Sequence, residues 1–380
     1  MGGVADMKSR RLGEERTIGM IGPGRAREAC MRAITVKPGA ADAPDTFMVS
    51  ERPTPEVLPD DICVRVHAVG VNPIDTKMRM SPPADDGVDR TLGWDAAGVV
   101  ESIGRAVSVW KPGDRVYYAG SILRPGANSE WHCVDGRLAG RIPASLSFAD
   151  AAALPLTTLT AWEALFEHLH IGATPFGLPD LPERQRTLLI IGGAGGVGSI
   201  AIQLARQVPD LTVIATASRD ESRQWCEQMG AHEVIDHRHD LGQQLENRGL
   251  TAPDYVLINR QPDSYFEPVR QLMAPFARVC STVESGEPLD TVKLRGKAGS
   301  WSWQAMFARS NHHAADMDTQ GRILGRVGQW IDDGRLVTTR TTDFGELTPE
   351  NLAQAHGAIE SGQMIGKAVL HGIGVGPTGG

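Results

Sequence analysis

The chain has 380 residues, a formal net charge of −8 and 41% hydrophobic residues, which is enough to build two ordinary globular cores. An acidic balance argues against nucleic-acid binding, because phosphates call for a basic face. No run of about 18 apolar residues appears, so the sequence offers no membrane-spanning helix. The five cysteines (Cys30, Cys63, Cys133, Cys226 and Cys280) are odd in number and scattered, and their spacing yields neither a disulfide framework nor a CxxC metal cluster. With no apolar signal segment, a reducing cytoplasmic setting is expected.

Residues 1–30 are polar, Gly- and Arg-rich and aperiodic, and read as a disordered extension outside the fold. Three acids (Asp6, Glu14 and Glu15) interrupt the basic character that a targeting peptide would keep. From Met31 to Ala152 the pattern predicts β-structure. The segment 62–68 alternates apolar and polar residues like a half-buried strand, and 98–103 and 115–118 are strand-like, with the turn signal Lys111-Pro-Gly-Asp114 between them. After Ala152, helix and strand patterns alternate to about Trp301, which implies βαβ units and a parallel sheet. The Pro- and Gly-rich stretch 171–186 reads as a surface loop leading into that sheet. Near the end, Thr348 is an N-cap, Pro349 the first helical residue and Gly362 the stop, with a last strand over 367–371.

The strongest local signal is TLLIIGGAGGVGSIAIQLARQ, residues 187–207. A strand runs into Gly192, Gly195, Gly196 and Gly198, and a helix follows. Its apolar residues Val197, Ile200, Ala201, Leu204 and Ala205 recur at helical spacing. Glycines let the backbone approach a pyrophosphate, and the helix N-terminus offers unpaired N–H groups to it, so the segment is expected to be a dinucleotide-binding loop of Rossmann type; the alternative is a tight strand-to-helix turn without a ligand. The strand 212–216 continues as Ala217-Ser218-Arg219, where an NAD enzyme usually places a carboxylate. Arg219 suits a 2′-phosphate and points to NADPH; the alternative is a capping box from Ser218 to Glu221 with a solvated Arg219.

On these residues the chain resembles the medium-chain dehydrogenase/reductase superfamily, in particular its quinone oxidoreductase branch and the zinc-type alcohol dehydrogenase-like proteins. The segments that carry the likeness are VGVNPIDTKMR (69–79), LGWDAAGVVESIG (92–104), YYAGSILRPGANSEWHCVD (117–135), AALPLTTLTAWEAL (152–165), ATASRDESRQW (215–225), GSWSWQAMFARS (299–310) and GKAVLHG (366–372). The resemblance implies an α/β fold: a doubly wound Rossmann sheet (153–301) inserted into a β-rich GroES-like catalytic domain (31–152 and 302–373), with a flexible tail over 374–380. It also implies a homodimer and an active site in the cleft between the domains.

Zinc enzymes of that superfamily hold their metal with Cys, His-Glu and a further Cys or Asp. Here the first position is Asn72 and the His-Glu pair is Trp94-Asp95, while the structural-zinc region keeps only Cys133, so both zinc sites are expected to be absent. The pair His312-His313 has no ligand partner at suitable spacing. Without a Lewis acid, a conjugated acceptor such as a quinone or enone is the better hydride partner, because it delocalises the arriving electrons itself. The candidate catalytic residues are Asn72 and Asp75, replacing the zinc ligand, and Tyr118 as donor to a developing enolate; turn chemistry, local capping and core packing are their structural alternatives. The resemblance places Thr157 and Thr160 on the cofactor, with helix capping as the alternative. Asn259 and Ser281, at strand carboxyl ends, join the cofactor set. Trp301, Trp303 and Phe307 either wall a substrate pocket or pack the core. Two competing readings are an alcohol or aldehyde dehydrogenase of zinc type and a non-catalytic NADPH-binding sensor or structural protein.

Overall fold

The computed structural model describes residues 30–36, 46–81, 89–172 and 185–374. The expectations for residues 1–29, for most of the Pro- and Gly-rich loop (173–184) and for the tail 375–380 lie outside the described residues. Cys30, grouped above with the extension, opens the first strand.

In chain order the first region comprises β1 (Cys30–Val36), β2 (Phe47–Pro53), β3 (Asp61–Val71), α1 (Pro73–Met80), β4 (Arg90–Thr91), β5 (Asp95–Ile103), β6 (Arg115–Tyr118), β7 (Trp131–Asp135), β8 (Gly140–Arg141), α2 (Phe148–Ala152) and α3 (Pro155–Trp162). The turn at Lys111–Asp114 forms as its residues dictate: Gly113 takes φ +91°, its N–H donates to Val100 O (2.8 Å), and Asp114 Oδ2 accepts from Lys111 N–H (3.1 Å). β3 departs from its half-buried reading. Arg65 is its one exposed residue, because β5 and β7 flank it and α2 covers it.

The second region runs β9 (Arg186–Ile191), α4 (Gly196–Ala205), β10 (Leu211–Thr216), α5 (Asp220–Gln228), β11 (Glu233–Ile235), α6 (Leu241–Asn247), β12 (Tyr255–Ile258), α7 (Pro262–Leu272), β13 (Arg278–Ser281) and β14 (Ser300–Trp303). Its six strands are all parallel, in the order β11-β10-β9-β12-β13-β14. This is a doubly wound sheet, and its strand order reverses beside β9, where such sheets gather ligands at the carboxyl edge. The unbroken apolar run Leu188–Ile191 is fully buried because helices cover both faces.

The chain then passes through α8 (Ala308–Asn311), α9 (Thr319–Asp332), β15 (Arg340–Glu346), α10 (Pro349–Glu360) and β16 (Lys367–His371). α10 starts as its sequence predicts: Thr348 Oγ1 accepts from Asn351 N–H (3.2 Å), and Gly362 ends the element with φ +66°. β16 pairs with β3, so the chain returns to the first sheet, whose order is β15-β16-β3-β5-β6-β8 with β7 also on β3. One continuous apolar core joins the two regions: Leu154, just before α3, and Leu159 within it meet Ile200 and Leu204 of α4 and Leu324 and Val327 of α9. That shared core holds the carboxyl edge of the parallel sheet against the end of β3. Among the described residues no helix is long and apolar enough to cross a membrane.

Candidate active site

Gly192 (φ +79°) turns the chain out of β9, a conformation that only a residue without Cβ adopts cheaply. Thr216, at the end of β10, braces the loop. Its Oγ1 accepts from Gly192 N–H (3.0 Å) and its carbonyl from Gly193 N–H (3.1 Å). A Cβ on Gly198 would stand 2.3 Å from Gly192 O and 2.5 Å from Gly193 O, so α4 packs directly on the turn. A Cβ on Gly195 would meet, among the described residues, only Gly192 O within 4 Å, at 3.8 Å, which leaves space over the helix start. No side chain caps α4, and the N–H groups of Gly196, Val197 and Gly198 have no acceptor within the helix. The result is a concave donor cradle at the positive end of a helix, which fits a pyrophosphate.

Polar groups converge on its rim. Asn259, just past β12, has a buried Nδ2 with no partner among the described residues, while its Oδ1 accepts from Thr282 Oγ1 (3.1 Å). Arg260 comes within 3.6 Å of the space over Gly192. Past β10, the exposed Arg219 donates to Gln363 O (2.5 Å), and Arg238 donates to Ser218 O (2.9 Å) while paired with Asp236. Arg219 takes the N-cap position of α5 and no side chain caps that helix, so the alternative capping box from Ser218 does not form. Arg238 and Arg260 add positive charge that sequence reading missed, because it stopped at the end of β10. The orphaned Asn259 amide, the basic rim and the uncapped helix together fit a dinucleotide.

The second half of the site is a buried charge cluster. Asn72 follows β3, and its backbone N–H donates to Asp75 Oδ2 (2.7 Å), whose Oδ1 accepts from Gly93 N–H (3.1 Å). Asn72 Nδ2 donates to Asp95 Oδ2 (2.8 Å). Lys367, the first residue of β16, donates through Nζ to the same Asp95 Oδ2 (2.9 Å), to Asn72 Oδ1 (2.5 Å) and to Val71 O (2.9 Å). Asp95 Oδ1 accepts the N–H of Leu156 at the start of α3 (2.7 Å). All four residues are buried, Asp95 completely. Burial pushes the Asp75 carboxyl up to about 7, against its two N–H donors and the Lys367 charge. Burial raises Asp95 as well, opposed chiefly by the Lys367 ammonium.

The three Lys367 N–H groups are spent on protein acceptors, so this side chain holds the site rather than meeting a substrate. It also reaches the cofactor loop. A Cβ on Gly196 would lie 2.9 Å from Lys367 Cδ and 3.1 Å from Thr157 Cγ2, and Gly366 N–H donates to Ala194 O (2.8 Å). Sequence reading passed over Lys367 as part of a final strand. The signal was a lone lysine opening a wholly apolar run.

The other expected residues divide. Thr157 and Thr160 lie on α3 beside the start of α4, but their hydroxyls donate to Leu154 O (3.1 Å) and Leu156 O (2.7 Å) rather than capping the helix. Tyr118 is not brought to the Asn72–Lys367 cluster. It is 1% exposed in the core of the β-rich region, with its O–H on His132 Nδ1 (3.0 Å). His132 Nε2 faces Pro125 O (2.9 Å), and a carbonyl can only accept, so Nε2 carries the proton and Nδ1 takes the tyrosine's. Burial lowers His132 to about 4 and holds the Tyr118 hydroxyl well above its ordinary range. Ser281 Oγ is turned to the backbone of Val283 (2.7 Å to its carbonyl). Trp301 packs on Phe266 and Trp303, whereas Phe307 meets Trp94, so the three aromatics do not form one wall. His312 and His313 sit at the end of α8, and among the described residues no group of three His, Cys, Asp or Glu side chains converges as for a metal.

The alcohol dehydrogenase GroES-like domain model matches residues 58–159, and the zinc-binding dehydrogenase model matches residues 229–370. A zinc-type alcohol dehydrogenase-like protein of Staphylococcus aureus (strain MSSA476) is 39% identical over 337 residues, covering 88% of this chain and 98% of its own. The chain belongs to the medium-chain dehydrogenase/reductase superfamily. Human mitochondrial NAD(P)H oxidoreductase RTN4IP1 is 35% identical, with 82% of each chain covered. The crystal structure of a putative zinc-dependent alcohol dehydrogenase protein from Rhizobium etli CFN 42 superimposes with a TM-score of 0.86 at 43% identity, covering 91% of this chain and 99% of that one. The quinone oxidoreductase of Escherichia coli complexed with NADPH shares the fold (TM-score 0.71, 22% identity, 90% and 99% covered).

Among the described residues, the side chains at the family's zinc position do not fit the metal. At the positions where the resemblance places metal ligands stand Asn72, Trp94 and Asp95. The Trp94 indole N–H donates to Ser121 O (3.0 Å) and cannot ligate, and the Asp95 and Asn72 oxygens already hold an ammonium.

Proposed function

We propose that this oxidoreductase is a zinc-independent, NADPH-dependent reductase that transfers hydride to a quinone or an α,β-unsaturated carbonyl. The observation that carries the reading is the Lys367 ammonium seated between Asn72 and Asp95, where the family's zinc enzymes have their metal. With the local charge balanced internally, no Lewis acid remains to polarise a simple alcohol or aldehyde. A conjugated acceptor needs only orientation against the cofactor and a proton. When bound, NADPH supplies the hydride.

This chain's own residues do the rest. The N–H groups of Gly196, Val197 and Gly198 hold the pyrophosphate, and the Asn259 amide donates at the carboxyl edge of the sheet. Arg219, with Ser218 beside it and Arg238 and Arg260 nearby, meets the 2′-phosphate. Thr157, Thr160 and Ser281 border the cofactor's path. Asn72, clamped by Lys367 and Asp95, keeps one amide hydrogen for the substrate carbonyl or the nicotinamide ribose. Asp75 fixes the Asn72 backbone. The hydroxyl proton of Tyr118 is committed to His132, so the proposal leaves the substrate's proton to water rather than to that tyrosine. The division into domains at 152/153 and 301/302, a cytoplasmic setting and a homodimer belong to the same proposal; β14 is a sheet edge carrying the half-exposed Trp303.

The test follows loss of absorbance from NADPH and, separately, NADH with 1,2-naphthoquinone, an enone and an aldehyde, before and after chelation. Rapid NADPH-selective oxidation by quinone or enone that survives chelation is the expected result. Arg219→Gln should raise KM for NADPH by about 10–100-fold, the worth of one charge-assisted hydrogen bond, and leave NADH unchanged. Activity confined to the aldehyde, or dependent on zinc, would overturn the reading. Tight NADPH binding without turnover on any acceptor would move the protein to a sensor or structural role.

A further inference from the structure

Sequence spacing offers the cysteines no pairing, but strand register brings two of them together. β3 and β7 run antiparallel with Cys63 directly opposite Cys133, so both side chains leave the sheet on the same face. In the same register Val66 N–H donates to Glu130 O (3.0 Å) and Gly136 N–H to Asp60 O (2.9 Å). Hydrogen-bonded pairs alternate along an antiparallel ladder, so Cys63 and Cys133 form a non-hydrogen-bonded pair with Cα atoms about 4.5 Å apart. That separation lies within the range a disulfide spans, about 4.4–6.8 Å. Cys133 Sγ donates to Pro55 O (3.9 Å), and the proximity of the two thiols lowers Cys63 below its ordinary range and holds Cys133 above it.

A cavity of about 260 Å³ lined by His132, Arg124, His313 and Met317, with the exposed Leu123 at its rim, reaches β7 at Cys133. The remaining cysteines have no such arrangement. Cys226 is buried under the glycine loop, Cys280 lies within β13 opposite Leu257 and Ser302, and Cys30 is exposed at the start of β1.

We propose that Cys63 and Cys133 form a redox-active dithiol that closes to a disulfide on reaction with hydrogen peroxide or an organic hydroperoxide. The thiolate of the pair attacks the peroxide, forming an S–O bond as the O–O bond breaks, and the released hydroxide takes the proton of the other thiol. The second sulfur then attacks the first. The S–S bond forms, the S–O bond breaks, and the departing hydroxide leaves as water with the proton first lost by the pair. The two sulfurs together give up two electrons, and one hydrogen peroxide becomes two waters, or one organic hydroperoxide an alcohol and a water. The closed form staples β7 to β3, the strand that leads into Asn72. This chemistry is independent of the hydride-transfer reading and stands or falls without it.

Full-length protein carrying Cys30→Ala leaves four of the five thiols. It is treated with a small excess of hydrogen peroxide, and thiols are counted in denaturant while intact and peptide masses are read. The expected result is a fall from four thiols to two, a mass loss of about 2 Da, a cross-link joining the Cys63 and Cys133 peptides, and full recovery with dithiothreitol. Adding Cys133→Ser removes the resolving partner, so peroxide should then add about 16 Da per oxygen at Cys63 instead of removing hydrogen. Four surviving thiols, oxygen added to a single cysteine of the parent protein, or a cross-link through Cys226 or Cys280 would overturn the proposal.

Discussion

Replacing Lys367 by methionine keeps most of the side chain's volume and removes its charge, which makes the buried cluster measurable. Lys367 is 3% exposed and Asp95 fully buried, and the ammonium stands 2.9 Å from Asp95 Oδ2. Without it, Asp95 keeps only the donors Asn72 Nδ2 and Leu156 N–H, an uncompensated buried carboxylate that costs about 3–5 kcal/mol. Asp95→Asn strands the ammonium in the same way and at similar cost. The double substitution leaves two neutral groups. The amide introduced at position 95 still accepts from Leu156 N–H, and Asn72, freed from Lys367, can turn its oxygen toward it. Its loss should therefore fall short of the sum of the single losses by about 2–3 kcal/mol, the upper part of the range for residues in direct contact. Urea unfolding of the four proteins, followed by tryptophan fluorescence, gives the cycle. Losses that add to within about 0.5 kcal/mol would refute the claim that these two charges stabilise one another.

The glycine loop separates packing from binding. Gly195→Ala places a methyl in open space, so stability should change by less than about 1 kcal/mol, while NADPH binding measured by titration calorimetry weakens at least about tenfold. Gly198→Ala drives a methyl against two carbonyl oxygens at 2.3 and 2.5 Å, and should cost about 1–3 kcal/mol of stability together with binding. Asp75 is raised from 3.8 to about 7, so between those values the folded state binds a proton that the unfolded state lacks. Its contribution is complete below the unfolded pKa and is lost as pH rises through about 7, at about 1.4 kcal/mol per pH unit. Asp75→Asn should flatten that slope in unfolding free energies measured from pH 5 to 8; an unchanged slope would contradict the shift. Tyr118→Phe leaves His132 Nδ1 unpartnered and should cost about 1–3 kcal/mol with quinone kcat within about twofold. A hundredfold fall in kcat at unchanged stability would restore the tyrosine to the reaction.

The strand, glycine loop and helix were legible because their determinants are local. A strand, a glycine run and a helix of fixed spacing specify a phosphate cradle within a dozen residues, and Thr348-Pro349 set the start of α10 by the same short-range logic. Trp94 was equally readable, since an indole ligates zinc in no fold. The rest depended on contacts between distant parts of the chain. Lys367 meets Asn72 and Asp95 only because β16 returns to pair with β3, and Arg238 and Arg260 join Arg219 only once the parallel sheet is ordered. Tyr118 reads as a donor beside a cleft in the sequence, but β7 lays His132 against it and its hydroxyl hydrogen bond goes there. Cys63 and Cys133 had no relation in the sequence, and one strand register placed them face to face. Sequence alone determined which chemistry each residue can perform. The tertiary structure decided which of those residues meet, because burial and strand pairing act over separations that no local pattern records.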